Sequence, residues 1–321
     1  MNVFDHINLN YNYYPRTCIE LSILAYEWEH EIGKSVSNKT NLSVCWGPVE
    51  LTKSFGLVSY SKMFVAKNEA TNEYFVAIQG TNPFSSTAWK TEDFDIGTSQ
   101  PFSNLLPPPV TNAEKALVLA TENALISQGT FNGVSDLKEL VDKNTKQTLV
   151  EFLAAEQPSY IYVTGHSLGG TLAPVLYAYI NAILNDGAPI TNMALWTFAG
   201  LTPGGAGFND YFNSLLPNNQ DFLWRIQNSL DVAPKLWENL TGALNIYLDN
   251  HQLICDPSSA GKLVEYFSEG KESGVGYAQP QAGLVIPGQF KEKLSWNDEA
   301  SHQHSSLTYQ VMIGEYYKLN Y

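Results

Sequence analysis

The chain has 321 residues, 44% hydrophobic and 16% charged, which is enough to bury a sizeable core and too apolar for a disordered chain. Its formal net charge of −14 excludes nucleic acid and an anionic membrane surface as electrostatically steered partners, while an uncharged lipid phase stays open to it through local apolar contacts. Cys18, Cys45 and Cys255 are odd in number and widely spaced, so one disulfide is allowed but a disulfide framework or a zinc site is not. The first residues, Met1 to Ile7, hold neither a basic region nor an apolar run, so no secretory signal is visible and localisation is left between secreted and cytoplasmic. No stretch reaches the roughly 18 to 20 apolar residues that a spanning helix needs.

Along the chain, residues 1 to 15 read as a polar arm packed by Tyr11, Tyr13 and Tyr14. Thr17 to His30 reads as a helix with Ile19, Ile23, Leu24 and Trp28 on one face, followed by a Ser/Asn-rich loop over 34–47. Lys62–Lys67 and Tyr74–Gln79 flank the polar turn Asn68–Asn72 and predict an antiparallel hairpin at a sheet edge. The stretch 98–111 carries Phe102, Leu105, Leu106 and Pro107 to Pro109, more apolar and stiffer than a plain solvent loop. Thr111 with Glu114 makes a capping box for a helix bearing Ala113, Ala116, Leu117, Ala120 and Ala124.

A second helix is expected over Ser135–Ala154, leading into a buried strand at Tyr160–Thr164. Further strands are expected at Met193–Phe198 and Phe222–Gln227, with a terminal helix over Leu307–Tyr317. Residues 235–300 mix short apolar runs with glycine-rich polar stretches; such a length reads as an insertion that walls or caps a site. Strand and helix alternating in this way imply an α/β fold around a mostly parallel sheet, in a single domain.

The chemistry centres on Gly165-His166-Ser167-Leu168-Gly169, which follows a strand and opens a helix. A serine on a sharp strand-to-helix turn needs neighbours almost without side chains, and the helix N-terminus behind it supplies amides for an anion. A serine hydroxyl needs a base, and the base needs an acid to fix its tautomer. In a hydrolase of this class the chain order is serine, acid, histidine. Asp231, directly after a predicted strand, is the best-placed acid, ahead of Asp210, Asp221 and Asp256. The later histidines rank His304, then His302, then His251. Two oxyanion donors are expected, the Leu168 N–H and the Thr81 N–H after the hairpin, with help from the Thr81 hydroxyl. His166 is given packing or a local hydrogen bond rather than base duty.

The residues Phe75 to Thr81 with Trp89 and Asp93, Gly129 to Phe131, Val163 to Ala173, Thr197 to Gly205 with Phe208, and Asn228 to Pro234 together resemble the class 3 lipase family of α/β-hydrolases. They follow the family's order over about residues 60–235. The resemblance implies Ser167 as nucleophile, Asp231 as acid, Thr81 and Leu168 as the oxyanion hole, and His304, with Tyr309 five residues on, as base. It also implies an apolar lid between the oxyanion loop and the next helix, at 98–111, where Phe102, Leu105 and Leu106 cluster. The chain departs from the family in having Gln79 where an arginine is usual before Gly-Thr, and 235–300 resembles nothing in it.

The implied reaction is ester hydrolysis through an acyl-enzyme, with no metal or organic cofactor, on a lipid or other ester substrate at a lipid–water interface. Phospholipase A1, galactolipase or acyltransferase activity would use the same triad. A non-catalytic lipid-binding protein is the alternative of a different class. Chain-length preference, headgroup and oligomeric state are not encoded legibly.

Overall fold

The structure is a computed structural model that describes residues 13–51, 61–80, 95–184, 192–216, 223–248, 274–280, 283–291 and 294–320. Its centre is a mixed sheet whose described strands run in the order β1-β2-β3-β6-β7-β8-β9. These are β1 (Ser43–Leu51), β2 (Ser61–Asn68), β3 (Glu73–Ile78), β6 (Tyr160–His166), β7 (Met193–Phe198), β8 (Leu223–Asn228) and β9 (Gly283–Ile286). The first two pairings are antiparallel and the rest, from β3–β6 to β8–β9, are parallel. A short pair, β4 (Ser99–Pro101) with β5 (Leu125–Ser127), stands apart. This is the α/β-hydrolase architecture that the alternation of elements implies.

The central strands β3 and β7 are buried along their whole length, as expected for parallel strands covered on both faces. One core lies on the side of α6 (Leu168–Leu184), where Leu172, Leu176 and Ile180 meet Val76, Ile78 and Val163. A second core on the other side gathers Cys18, Leu21 and Leu24 of α1 (Tyr13–Leu24) with Phe75, Tyr162, Phe198 and Tyr309.

The structure differs from the sequence reading in three places. The first helix ends at Leu24 and a separate α2 spans Glu29–Lys39, followed at once by β1, so 34–47 is helix and strand rather than loop. The hairpin β2–β3 is therefore internal, with β1 outside it. Gly47-Pro48 inside β1 hid the strand pattern; the register of β1 shifts between Val44 and Trp46 and again between Trp46 and Val49, and an edge strand tolerates such a break. Finally, the expected helix 135–154 is two, α4 (Gln128–Lys138) and α5 (Leu149–Glu156). Asp142 organises the break by accepting from the amides of Asn144, Thr145 and Gly47. Thr148 and Glu151 cap α5 reciprocally, a helix-start signal that lay inside the presumed single helix.

The capping box of Thr111 and Glu114 does start α3 (Asn112–Thr121). Before it, Phe102 and Leu105 form a one-turn 3-10 helix and are fully buried in the first core. Within 235–300 the described residues supply α8 (Leu240–Leu248), β9 and most of α9 (Trp296–His304), with α10 (Ser306–Asn320) closing the chain.

Candidate active site

Ser167 sits at the junction of β6 and α6 with φ of 58°, a left-handed conformation that costs a non-glycine residue about 1–3 kcal/mol and persists only where its surroundings impose it. They do so here: the Ser167 N–H donates to Phe198 O on β7, and Ser167 O accepts from Thr171 N in the first turn of α6. Gly169 lets that turn pass against β3, since a Cβ there would come within 2.4 Å of Ile78 O. Tight strand–helix contact thus holds the hydroxyl at the carboxyl end of the sheet.

Asp231 and His304 arrive from elsewhere. Asp231 follows β8 in a turn closed by its own N–H to Asn228 O, and its Oδ1 accepts from Ala233 N at 2.9 Å. His304 is the last residue of α9, a helix capped at its start by Ser295. His304 Nε2 lies 2.8 Å from Ser167 Oγ, and its Nδ1 lies 2.9 Å from Asp231 Oδ2. A carboxylate only accepts, so the contact with Asp231 makes Nδ1 the protonated nitrogen and leaves the Nε2 lone pair facing the serine hydroxyl. The Tyr309 hydroxyl donates to the same Asp231 oxygen at 2.8 Å and accepts from Asn228 N at 2.9 Å. Ser167, Asp231 and His304 are all at most 1% exposed. Water is excluded from the hydrogen-bond chain, which strengthens each link.

Of the sequence candidates, the structure brings Ser167, Asp231 and His304 together. His302 is partly exposed two residues earlier on α9, and Asp210 is exposed on α7 (Ala206–Leu215). Leu168 opens α6, so its amide has no acceptor within that helix. Thr81, Trp89, Asp93, Asp221, His251, Cys255 and Asp256 lie outside the described residues. Gln79, where the family usually has arginine, has a buried side-chain oxygen with no hydrogen-bond partner among the described residues.

His166 points away from the serine hydroxyl. Its Nε2 is 2.8 Å from His304 O, and its Nδ1 is 3.2 Å from the Tyr26 hydroxyl. Burial and the neighbouring His304 hold it well below the ordinary histidine range. Sequence reasoning gives no role to Tyr26, which stands far from the motifs that signal chemistry, or to Asn228, which opens the Asn228–Pro234 motif but reads only as part of the turn before Asp231. Among the described residues no group of three or more His, Cys, Asp or Glu is arranged to hold a metal ion.

Around the acid, Leu201, Val232, Leu236, Tyr247, Trp296 and Ala300 form a third small core. The Tyr247 hydroxyl donates to Leu230 O at 2.7 Å, and Gln279 donates to Pro234 O at 2.9 Å.

Among solved structures, M37 lipase is 26% identical, with 94% of this chain covering 92% of that one at a TM-score of 0.74. Lip2 lipase from Yarrowia lipolytica is 14% identical over 96% of this chain and 91% of that one, with a TM-score of 0.56; at that identity the likeness speaks for the fold alone. No curated protein matches the chain. The model of the class 3 lipase family matches residues 75–240, more than half of the sequence. The chain belongs to the class 3 lipase family and is a serine hydrolase of the lipase and esterase kind.

Proposed function

We propose that the protein cleaves acylglycerol esters through an acyl-enzyme, with Ser167 as nucleophile, His304 as general base and acid, and Asp231 as the group that orients His304. The observation that carries this reading is the unbroken hydrogen-bond chain from Ser167 Oγ through both nitrogens of His304 to Asp231. In the first half-reaction Ser167 Oγ attacks the ester carbonyl as its proton passes to His304 Nε2. The imidazolium formed is stabilised by Asp231, and the proton then goes to the departing alcohol as the C–O bond breaks. Water repeats the sequence on the acyl-enzyme and frees the acid. Leu168 N–H and Thr81 are the proposed donors to the oxyanion.

Ser167 is fully buried, so an ester reaches it only after covering groups move aside. We assign that movement to the 98–111 lid. Phe102 and Leu105 are anchored in the core, while Pro107, Pro108 and Val110 are exposed, so the movable part of the stretch begins after Leu105. Residues 235–300 are proposed to wall the site, in keeping with the third core around Asp231. No helix among the described residues is long and apolar enough to cross a membrane, and the proposed partner is an ester at a lipid–water interface.

The test is hydrolysis of short- and long-chain p-nitrophenyl esters, emulsified triacylglycerol and phosphatidylcholine by wild type and Ser167→Ala. Cleavage of the neutral esters by wild type and its loss in the variant are expected. A preference for phosphatidylcholine would move the assignment to phospholipase. Equal rates in the two proteins would remove Ser167 from the chemistry, and lipid binding without hydrolysis would make the protein a binder.

A further inference from the structure

Tyr26 lies far from the nucleophile in sequence, in the turn that ends α1, where its N–H donates to Ile23 O. Its hydroxyl nevertheless touches three segments that the proposed chemistry depends on. It lies 3.2 Å from His166 Nδ1 and 3.4 Å from His166 O, beside the nucleophile. It packs against Gly80, the residue before Thr81, where a Cβ would stand 2.4 Å from it. Through His166, whose Nε2 is 2.8 Å from His304 O, it reaches the main chain of the base.

The proton positions in this chain follow from the acceptors. His304 O can only accept, so His166 Nε2 carries the hydrogen. A buried, neutral imidazole then presents a bare Nδ1, and a buried acceptor without a donor costs about 1–3 kcal/mol. The Tyr26 O–H is the donor beside it, nearer to Nδ1 at 3.2 Å than to His166 O at 3.4 Å. The two hydrogen bonds run in one sense, from Tyr26 through His166 to His304. The titratable groups facing His166 among the described residues are Tyr26, His304 and Tyr309, with the His304 ring centroid 5.0 Å away and that of Tyr309 5.6 Å away. A neutral His166 leaves the positive charge that develops on His304 unopposed. Gly80 fits the same scheme, because a Cβ there would stand 2.4 Å from the Tyr26 hydroxyl and 2.2 Å from His166 O.

We propose that Tyr26 is a positioning residue for ester hydrolysis: its hydroxyl donates to the bare Nδ1 of His166 and fixes the ring whose Nε2–H holds the main chain of His304. Asp231 thus grips the imidazole of the base while the Tyr26–His166 pair grips its backbone. The proposal rests on the functional assignment of Ser167 and His304 above.

The experiment combines nitrogen-15 NMR of the histidine rings with kinetics on p-nitrophenyl butyrate, for wild type and Tyr26→Phe. Wild-type His166 is expected as a single Nε2–H tautomer with a slowly exchanging ring proton. In Tyr26→Phe the bare Nδ1 loses its donor, so its nitrogen-15 signal should move towards that of an unbonded imidazole nitrogen while Nε2 keeps its proton on His304 O. The kcat should fall on the order of 10-fold with KM changed less than about twofold, as for loss of alignment rather than of binding. An unchanged Nδ1 signal in Tyr26→Phe overturns the proposal even where activity drops, because the drop would then come from packing. A wild-type Nδ1–H tautomer overturns it outright, and that measurement stands even if Tyr26→Phe fails to fold. The NMR arm needs no substrate, so a wild type inert towards every ester would count against the functional reading and leave Tyr26 to be judged by the ring-nitrogen signals.

Discussion

The hydroxyl of Tyr309 donates to Asp231 Oδ2 at 2.8 Å, the same carboxylate oxygen that faces His304 Nδ1. One phenol therefore fixes the rotation of the acid, and by accepting from Asn228 N it also closes the end of β8. Tyr309→Phe leaves two buried polar groups short of a partner. We expect it to cost about 1–3 kcal/mol of stability and roughly 10-fold in kcat, read by urea denaturation and by p-nitrophenyl ester kinetics. Unchanged kinetics together with unchanged stability would show that the hydroxyl does not set the acid.

Gly169 and Gly33 should respond oppositely to the same substitution. A methyl group at Gly169 meets the backbone of β3, with Ile78 O at 2.4 Å and Gln79 atoms at 3.0 Å, and backbone cannot yield as a flexible side chain does. Gly169→Ala is expected to destabilise by about 1–3 kcal/mol and to remove activity by displacing Ser167. Gly33 is inside α2 with nothing within 4 Å of a built Cβ, so Gly33→Ala should stabilise by about 0.5–1 kcal/mol through the helix-interior preference for alanine. Thermal unfolding of both variants beside wild type checks the pair, and equal effects would mean that contact distance is not what selects glycine at 169.

The parts of the fold legible in the sequence are those where a local pattern decides the outcome. The run Tyr160–Thr164 followed by Gly-His-Ser-Leu-Gly encodes a strand, a turn and a helix within a dozen residues, and the structure has them there. The Thr111–Glu114 cap was legible for the same reason. What could not be read depends on contacts between distant segments. Gly47-Pro48 looks like a loop until β2 is placed beside it. Asp142 looks like any surface acid until the Gly47 amide, 95 residues away, is seen to donate to it. Tyr26 and His166 are 140 residues apart, and nothing in either neighbourhood announces the other. The triad residues could be ranked by chain order and by position after a strand, but that His304 rather than His302 meets Ser167 depends on where α9 ends.

Acid should weaken the fold through His166. Its folded-state pKa is held below the ordinary histidine value by burial and by His304, so below about pH 6.5 the unfolded chain takes up a proton that the folded chain refuses. Stability is therefore complete above that pH and falls as pH drops below it, by up to about 1.4 kcal/mol per pH unit. Urea denaturation at pH 7.5, 6.0 and 5.0 should show a steeper decline in wild type than in His166→Gln, by up to one proton. Parallel declines would mean that His166 binds its proton equally in both states.

The stretch 98–111 divides at Leu105, and substitutions on the two sides should act on different properties. Phe102 is fully buried, with its ring centroid 6.0 Å from that of Phe208 and 5.1 Å from that of Tyr211. Phe102→Ala opens a cavity in the main core and should cost about 3–5 kcal/mol, with activity on a soluble short-chain ester retained in the protein that stays folded. Val110 is 81% exposed, so Val110→Ser should leave the unfolding midpoint unchanged. If the segment after Leu105 is the part of the lid that meets lipid, that variant loses activity on emulsified triacylglycerol while keeping it on dissolved p-nitrophenyl butyrate, because an exposed apolar side chain at an interface contributes only where there is an apolar phase to enter. The ratio of the two rates is the measurement. A ratio equal to that of wild type for Val110→Ser, and for the companion Leu106→Ser, would place the contact with lipid elsewhere on the molecule.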